Sequence, residues 1–325
     1  MNKVLLLLAV FVLASGCALL GPRPVPDPPD ISREKAVRGS GHFDNGRLDR
    51  AERDFKAAFY ADQAGDRLPA LGRDYRNLAA LAVRQGDYPA ALEYLKRSRD
   101  ICRGHDDSAG QAECLAGMAA VSDRAGQPAE AGKLIEEALR LASGPTATRA
   151  YVLNVRGAHL NEAKDYAGAE VALTEAMGIE AGLKGCDARL RAATLHYLGC
   201  AHLAQGRLGE ARERLEQALE LDREGDYPAG IAADTERLAA VAAASGKAPE
   251  ALALYEKAFN IYVYLRDARR AEGVLAAMER QNSDASLGLD LTRLREALGP
   301  LKAATNRVNP PPPTDYPLGS RSTTQ

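Results

Sequence analysis

Residues 187–222 read DARLRAATLHYLGCAHLAQGRLGEARERLEQALELD. In the first half Leu195, Leu198, Gly199 and His202 recur at helical spacing, and Gly206 follows them. In the second half Ala211, Leu215 and Ala218 do the same. Apolar residues three and four apart share one face of a helix. A glycine just past such a run supplies the left-handed residue that closes the helix. The stretch therefore predicts two antiparallel helices joined at Gly206. The small residues Gly199 and Ala211 let them approach closely, and the large ones fill the space beside them.

Gly206 belongs to a series. Gly46, Gly86, Gly126, Gly206 and Gly246 stand 40 residues apart, or 80 across one gap, and an alanine follows each of them five residues later. In the gap, Lys164 and Ala169 keep the same offset. A fixed period of this size means a stack of similar units, each able to bury its apolar face only against its neighbours. The pattern recurs as Tyr75, Leu78, Ala79, Ala91, Leu95, Ser98, then as Leu115, Met118, Ala119, Ala131, Ile135, Ala138. Leu153, Gly157, Leu160, Tyr166, Leu173, Ala176 give a further copy, and Leu238, Ala239, Ala251, Tyr255, Ala258 another. The first unit keeps Gly39, Ala51, Phe55 and Ala58. Pro89, Pro128 and Pro249 fall near the start of second helices, where proline is tolerated. Pro69, Pro145 and Pro228 are read as opening first helices, Ser108 with Gln111 as a capping box, and Gly104 as a helix stop.

Six such copies in register resemble the tetratricopeptide repeat. The period departs from the family's usual one of about 34, and the proline that ends the family's second helix is absent. The extra residues fall between units, as in long-period variants similar to kinesin light chain. The resemblance spans Ile31 to Tyr264 and implies an all-α superhelical solenoid of about six helix–turn–helix units over residues 32–265. Residues 266–304, with Leu291, Leu294, Leu298 and Leu301 at helical spacing, read as C-terminal capping helices. Residues 305–325, with Pro310 to Pro313, read as a disordered proline-rich tail or a ligand for another protein.

The family resemblance also places first helices on the concave groove. Arg73, Arg76, Arg84, Asp123, Arg124, Tyr151, Asn154, Asn161, Glu162, His196 and Glu236 would then face it. The basic N-terminal part of this set suits an acidic or C-terminal carboxylate segment, with a merely hydrated face as the alternative. The Lys/Asn clamp of chaperone-binding members is not present in register.

The N-terminus has a different grammar. Lys3 precedes an unbroken apolar run from Val4 to Ala14, too short to span a bilayer but suited to a signal peptide. Leu13-Ala14-Ser15-Gly16-Cys17 resembles a bacterial lipobox, with Ala14 where leucine is more usual. That resemblance implies removal of residues 1–16 and lipidation of Cys17. Ala18, where an aspartate would retain the protein, implies an outer-membrane location facing the periplasm. The proline-dense residues 17–31 then read as an extended tether reaching up to ~40 Å.

Composition bounds the function. Apolar residues make up 46%, charged 26% and aromatic 5%, with net charge −2 and no tryptophan. Such a chain favours helices and lacks the basic footprint of nucleic-acid binding. Cys102 ends one helix and Cys114 lies on the next, so a bridge is feasible, with free buried thiols as the alternative. Cys186 and Cys200 cannot pair if both lie on one helix, about 21 Å apart. His196 and Cys200, four apart, share a helix face, but no third metal ligand is in register. Tyr255, Phe259 and Tyr262 read as core, and Arg266, Arg269 and Arg270 as a solvated helix start. No catalytic constellation and no cofactor motif appears. The sequence is therefore read as a non-enzymatic, membrane-anchored scaffold for a cell-envelope protein or peptide in assembly or secretion. An envelope enzyme subunit with a metal or thiol site, and a peptidoglycan-associated spacer, are the alternatives.

Overall fold

The computed structural model describes residues 28–285 and 288–305. The expected signal run, Cys17 and the Pro310–Pro313 tail lie outside the described residues. Within them the chain forms fourteen helices and no strand. Six helix pairs come first. They are α1 (Pro28–Asp44) with α2 (Leu48–Ala64), α3 (Leu68–Gln85) with α4 (Tyr88–Gly104), and α5 (Ser108–Arg124) with α6 (Pro128–Leu141). Then come α7 (Ala147–Glu162) with α8 (Tyr166–Gly182), α9 (Ala188–Ala204) with α10 (Leu208–Glu224), and α11 (Pro228–Ala244) with α12 (Ala248–Tyr264). Helices α13 (Ala268–Asp284) and α14 (Thr292–Thr305) follow, with Leu291, Leu294 and Leu298 buried. Helix α1 takes in Pro28 and Pro29, which the tether reading left extended; proline fits the first turn of a helix.

All twelve turns from α1 to α13 carry one left-handed residue. Within pairs these are Gly46, Gly86, Gly126, Lys164, Gly206 and Gly246, as the period requires. Between pairs they are Asp66, Asp106, Gly144, Gly185, Asp226 and Arg266. In most turns the reversal lets an amide reach back to the fifth residue before it, as Asp87 N–H does to the Ala82 carbonyl (2.9 Å) and Arg207 N–H to that of His202 (2.9 Å). Two start signals need correction. Asp107, not Ser108, caps α5: its Oδ1 accepts from the Gly110 amide at 2.8 Å. Pro145 lies ahead of α7, whose cap is Thr146. Gly104 is the last residue of α4, and the turn is made by Asp106.

The alanines five residues after each turn (Ala51, Ala91, Ala131, Ala169, Ala211, Ala251) are all fully buried. They sit where paired helices touch. A Cβ added at Gly199 would stand 2.7 Å from Leu215 Cγ, so α9 and α10 meet at a distance only glycine permits. Tyr255, Phe259 and Tyr262 are core, as expected.

A second register joins the units. Asp74, Cys114, Asn154, Thr194 and Asp234, also 40 apart, are all buried. Thr194 Oγ1 donates within reach of Asn154 Oδ1 (2.8 Å) and Glu180 Oε1 (2.5 Å), and Cys114 Sγ lies 3.1 Å from Ser98 Oγ. Cys102 and Cys114, the feasible bridge, are both free thiols held in this junction. Cys186 precedes α9 rather than lying on it.

First helices α5, α7, α9 and α11 touch one another in succession, so they line the inside of the curve. The curve is tight enough to return on itself. The α1–α2 turn meets the α12–α13 turn: Tyr264 Oη donates to Asn45 Oδ1 (3.2 Å), and a Cβ at Gly46 would fall 2.4 Å from the Leu265 carbonyl oxygen. Arg84 Nη2 donates to that same carbonyl at 3.4 Å. Arg189 of α9 donates to Asp44 of α1 at 2.9 and 3.4 Å and stacks 3.7 Å over the Tyr227 ring. Six pairs thus close a ring.

Candidate functional site

Inside the ring is a cavity of about 450 Å³. Its wall comes mainly from the first helices α1, α3, α5, α9, α11 and α13, with the α12–α13 turn. The inward curvature decides this: one stripe of each first helix packs on its partner, and the stripe beside it is left facing the axis.

Six arginines line the cavity: Arg84, Arg124, Arg189, Arg266, Arg269 and Arg270. Four aspartates oppose them, and each is already engaged. Asp44 accepts from Arg189, and Asp234 Oδ1 lies 2.7 Å from His196 Nδ1. Asp267 Oδ1 caps α13 by accepting from the Arg270 amide at 3.1 Å. Burial, with Asp234 alongside, pushes Asp222 up to about 7, so it carries only part of its charge at neutral pH. Burial also pulls Arg84 below the usual guanidinium range; Arg270 and Arg124 add to this by repulsion, while Asp267 opposes it. Arg124, Arg266 and Arg269 have no carboxylate partner among the described residues. The site therefore concentrates positive charge that the protein does not itself neutralise.

The residues expected on the groove divide three ways. Arg84, Arg124 and His196 line the cavity. Asn154 and Asn161 are structural: Asn154 donates to the Leu190 carbonyl (3.3 Å) and Asn161 to that of Tyr197 (2.9 Å), tying α7 to α9. Arg76 likewise spans a junction, 3.7 Å from Glu113 and 3.4 Å from Ser98 Oγ. Asp123 is taken up by His159 (2.9 Å), and Glu236 by Arg237 (3.0 Å) and the Tyr262 hydroxyl (2.9 Å). Arg73, Tyr151 and Glu162 keep exposed surface outside the cavity wall.

Sequence reasoning misses Arg189, Arg266, Arg269 and Arg270 as lining residues. Far from being a solvated helix start, Arg270 is half-buried and donates to the Tyr262 hydroxyl at 3.2 Å. The missed signal was the register itself, since Arg149, Arg189 and Arg269 all fall on the 40-residue grid. The expected face shared by His196 and Cys200 is present, with Sγ 3.6 Å from Nε2. Among the described residues, no group of three metal-capable side chains converges.

Residues 37–104, 75–144 and 148–224 match a family model described as tetratricopeptide repeat. Among solved structures, the chain is similar to a Rap protein complexed with Competence and Sporulation Factor. Identity is 14% and the TM-score 0.54, covering 84% of this chain and 98% of that one. It is also similar to BtubC (BKLC) from P. vanneervenii, at 20% identity and TM-score 0.49, covering 71% and 90%. A third is pilF of Pseudomonas aeruginosa, at 20% identity and TM-score 0.43, covering 72% and 97%. The Rap likeness is one of fold. No curated protein sequence matches the chain.

Proposed function

The chain belongs to the tetratricopeptide repeat family, and on that premise we propose a scaffold whose central cavity receives an acidic or carboxylate-terminated segment of a partner protein. Arrays of this family bind protein or peptide partners. The observation that carries the finer reading is that Arg124, Arg266 and Arg269 line one cavity with Arg84 and have no carboxylate partner among the described residues. Guanidiniums so placed repel one another, and an arriving carboxylate relieves that repulsion through paired, charge-assisted hydrogen bonds. A volume of about 450 Å³ accommodates a few residues of an extended peptide. The scaffold is tethered to the outer membrane on its periplasmic side through a lipid on Cys17. The small residues before Cys17 and Ala18 after it support that reading. Envelope assembly or secretion is the setting such an anchor implies.

Fluorescence anisotropy with acidic peptides, each with a free or an amidated C-terminus, tests the site. Arg124→Glu with Arg269→Glu weakens binding by tenfold or more, on the order of the ~1.5–3 kcal/mol of a charged hydrogen bond, and leaves the circular dichroism unchanged. Equal binding by wild type and double variant would sink the cavity reading. Membrane fractionation tests the anchor: a Cys17→Ser protein that stays with the membrane would overturn it.

A further inference from the structure

Beyond charge, the inner wall carries a constellation that peptide capture does not use. Cys200, His196 and Asp234 form a continuous line across α9 and α11. Cys200 Sγ lies 3.6 Å from His196 Nε2, and His196 Nδ1 lies 2.7 Å from Asp234 Oδ1. Asp234 is buried, and its other oxygen has no hydrogen-bond partner. The Oδ1 contact holds the imidazole in one orientation, with its far nitrogen aimed at the sulfur. The Tyr197 ring, edge-on at 5.3 Å, fixes the ring plane. His196 and Asp234 line the cavity, and Cys200, one turn further along α9, is half-buried rather than sealed.

A nucleophile, a base in reach of it and a group orienting the base are the parts that activate a thiol. We propose that Cys200 is a nucleophilic thiol that captures disulfide-bearing molecules beside the cavity, one helical turn from its wall, as a mixed disulfide, with His196 as proton acceptor and Asp234 orienting it.

The position of Cys200 chooses disulfide exchange over acyl transfer. Acyl transfer needs free N–H donors aimed at a developing oxyanion. Cys200 lies inside α9, where its amide and those around it are bonded within the helix. Attack on a disulfide develops no oxyanion. The Cys200 proton passes to His196, and the thiolate attacks one sulfur of R–S–S–R′. A Cys200–S–S–R bond forms as the S–S bond breaks, and the departing R′–S⁻ takes the proton back. Cys200 is oxidised and the incoming disulfide reduced, so no other oxidant is needed. Among the described residues no second cysteine stands near to resolve the product: Cys102 and Cys114 belong to the α4–α5 junction, and Cys186, just ahead of α9, is most of a helix length from Cys200. The adduct therefore persists until an outside thiol removes it, which suits capture rather than turnover.

The charged surroundings are consistent with this. Burial would raise the Cys200 thiol, but His196 and then Arg237 of α11 outweigh it and bring it below an ordinary thiol. Burial works against the charge on His196, but Cys200 and Asp234 overcome it and hold the imidazole well above the usual range. Helix α10 contributes Asp222 beside Asp234. On α8, Glu170 faces His202 and Glu180 faces Thr194. Asn161 of α7 holds the Tyr197 carbonyl.

The experiment labels native protein with a dithiodipyridine probe between about pH 5 and 9, identifies each labelled cysteine by peptide mass spectrometry, and follows thiolate ultraviolet absorbance in parallel. At about pH 6, Cys200 is expected to react at least tenfold faster than Cys186. His196→Gln should remove that advantage and move the inflection to higher pH. Asp234→Asn should reduce it partly, with Cys200→Ser as the blank. Incubation with glutathione disulfide or with a disulfide-bearing peptide then separates small from protein sources, and an adduct from either supports the proposal. Cys200 reacting no faster than Cys186, or a pH profile unmoved by His196→Gln in a folded variant, would overturn it. So would the absence of any thiolate absorbance from the wild type at about pH 6, which does not depend on any variant folding.

Discussion

Replacing Gly46 with alanine separates two costs that coincide in this ring. Gly46, Gly86 and Gly126 have the same left-handed backbone, with φ of 67°, 80° and 76°. A Cβ in that conformation costs roughly 1–2 kcal/mol wherever it is placed. At Gly86 and Gly126 nothing lies within 4 Å of the added carbon, so strain is the whole effect. At Gly46 the added carbon stands 2.4 Å from the Leu265 carbonyl oxygen and 2.6 Å from its backbone carbons. Backbone cannot rotate aside, so the α1–α2 turn must withdraw from the α12–α13 turn. That withdrawal breaks the Tyr264–Asn45 and Arg84–Leu265 hydrogen bonds, each worth about 0.5–1.5 kcal/mol. It also strains the half-exposed Arg189–Asp44 pair, worth only about 0.2–1 kcal/mol because water screens it. Gly46→Ala is therefore expected to cost about 1–4 kcal/mol more than Gly86→Ala. Urea unfolding gives the difference. Small-angle scattering should show a larger maximum dimension for Gly46→Ala alone, and hydrogen exchange should quicken in α1 and α12. Equal stability losses at positions 46, 86 and 126, with unchanged scattering, would show that the ring does not close in solution.

Two other outcomes follow from buried groups. Burial, and then the neighbouring Asp62, push Asp74 up to about 8, so the native state holds a proton that the unfolded chain has released. Stability should therefore fall as pH rises between about 4 and 8, by at most ~1.4 kcal/mol per unit from this group. Urea midpoints for Asp74→Asn should lose that slope, and an identical slope in the variant would reassign it. Gly199→Ala forces a carbon against Leu215 and should lower stability by about 1–3 kcal/mol. Gly178→Ala, with open space on α8, should raise it by about 0.5–1 kcal/mol; thermal unfolding that ranked the two the other way would contradict the packing at α9–α10.

Helices, pairing and the buried alanines were legible because each is set within one unit: Gly206, Ala211 and Leu215 lie within ten residues of one another. The turns between pairs were less so. Asp66, Asp106 and Asp226 share the 40-residue pitch but are not glycine, and aspartate takes a left-handed backbone at little cost only because its short polar side chain bonds locally. Asn154 was assigned to the groove although it is buried. A rotation of about 100° per residue separates the groove stripe from the junction stripe, and composition does not distinguish two polar faces. The cavity itself was not legible. It depends on the curvature accumulated over six pairs, and no local window contains both Asp44 and Arg189. Within it, Arg84, Arg124 and His196 were found because the first-helix register is local, whereas Arg269 and Arg270 lie beyond the last clear copy.

The contact between Gly46 and Leu265 makes the count of units part of the fold. An open solenoid tolerates duplication or loss of a repeat, since each unit meets only its neighbours. Here one added unit would carry Leu265 past Gly46, and one lost unit would leave it short. Either change would part Arg189 from Asp44 or slide the arginine wall out of alignment. Lineages of this protein should vary freely in the sequence of single units while keeping their number constant. Their insertions should collect on the outward second helices and in the chain after α13, where lengthening disturbs no closure.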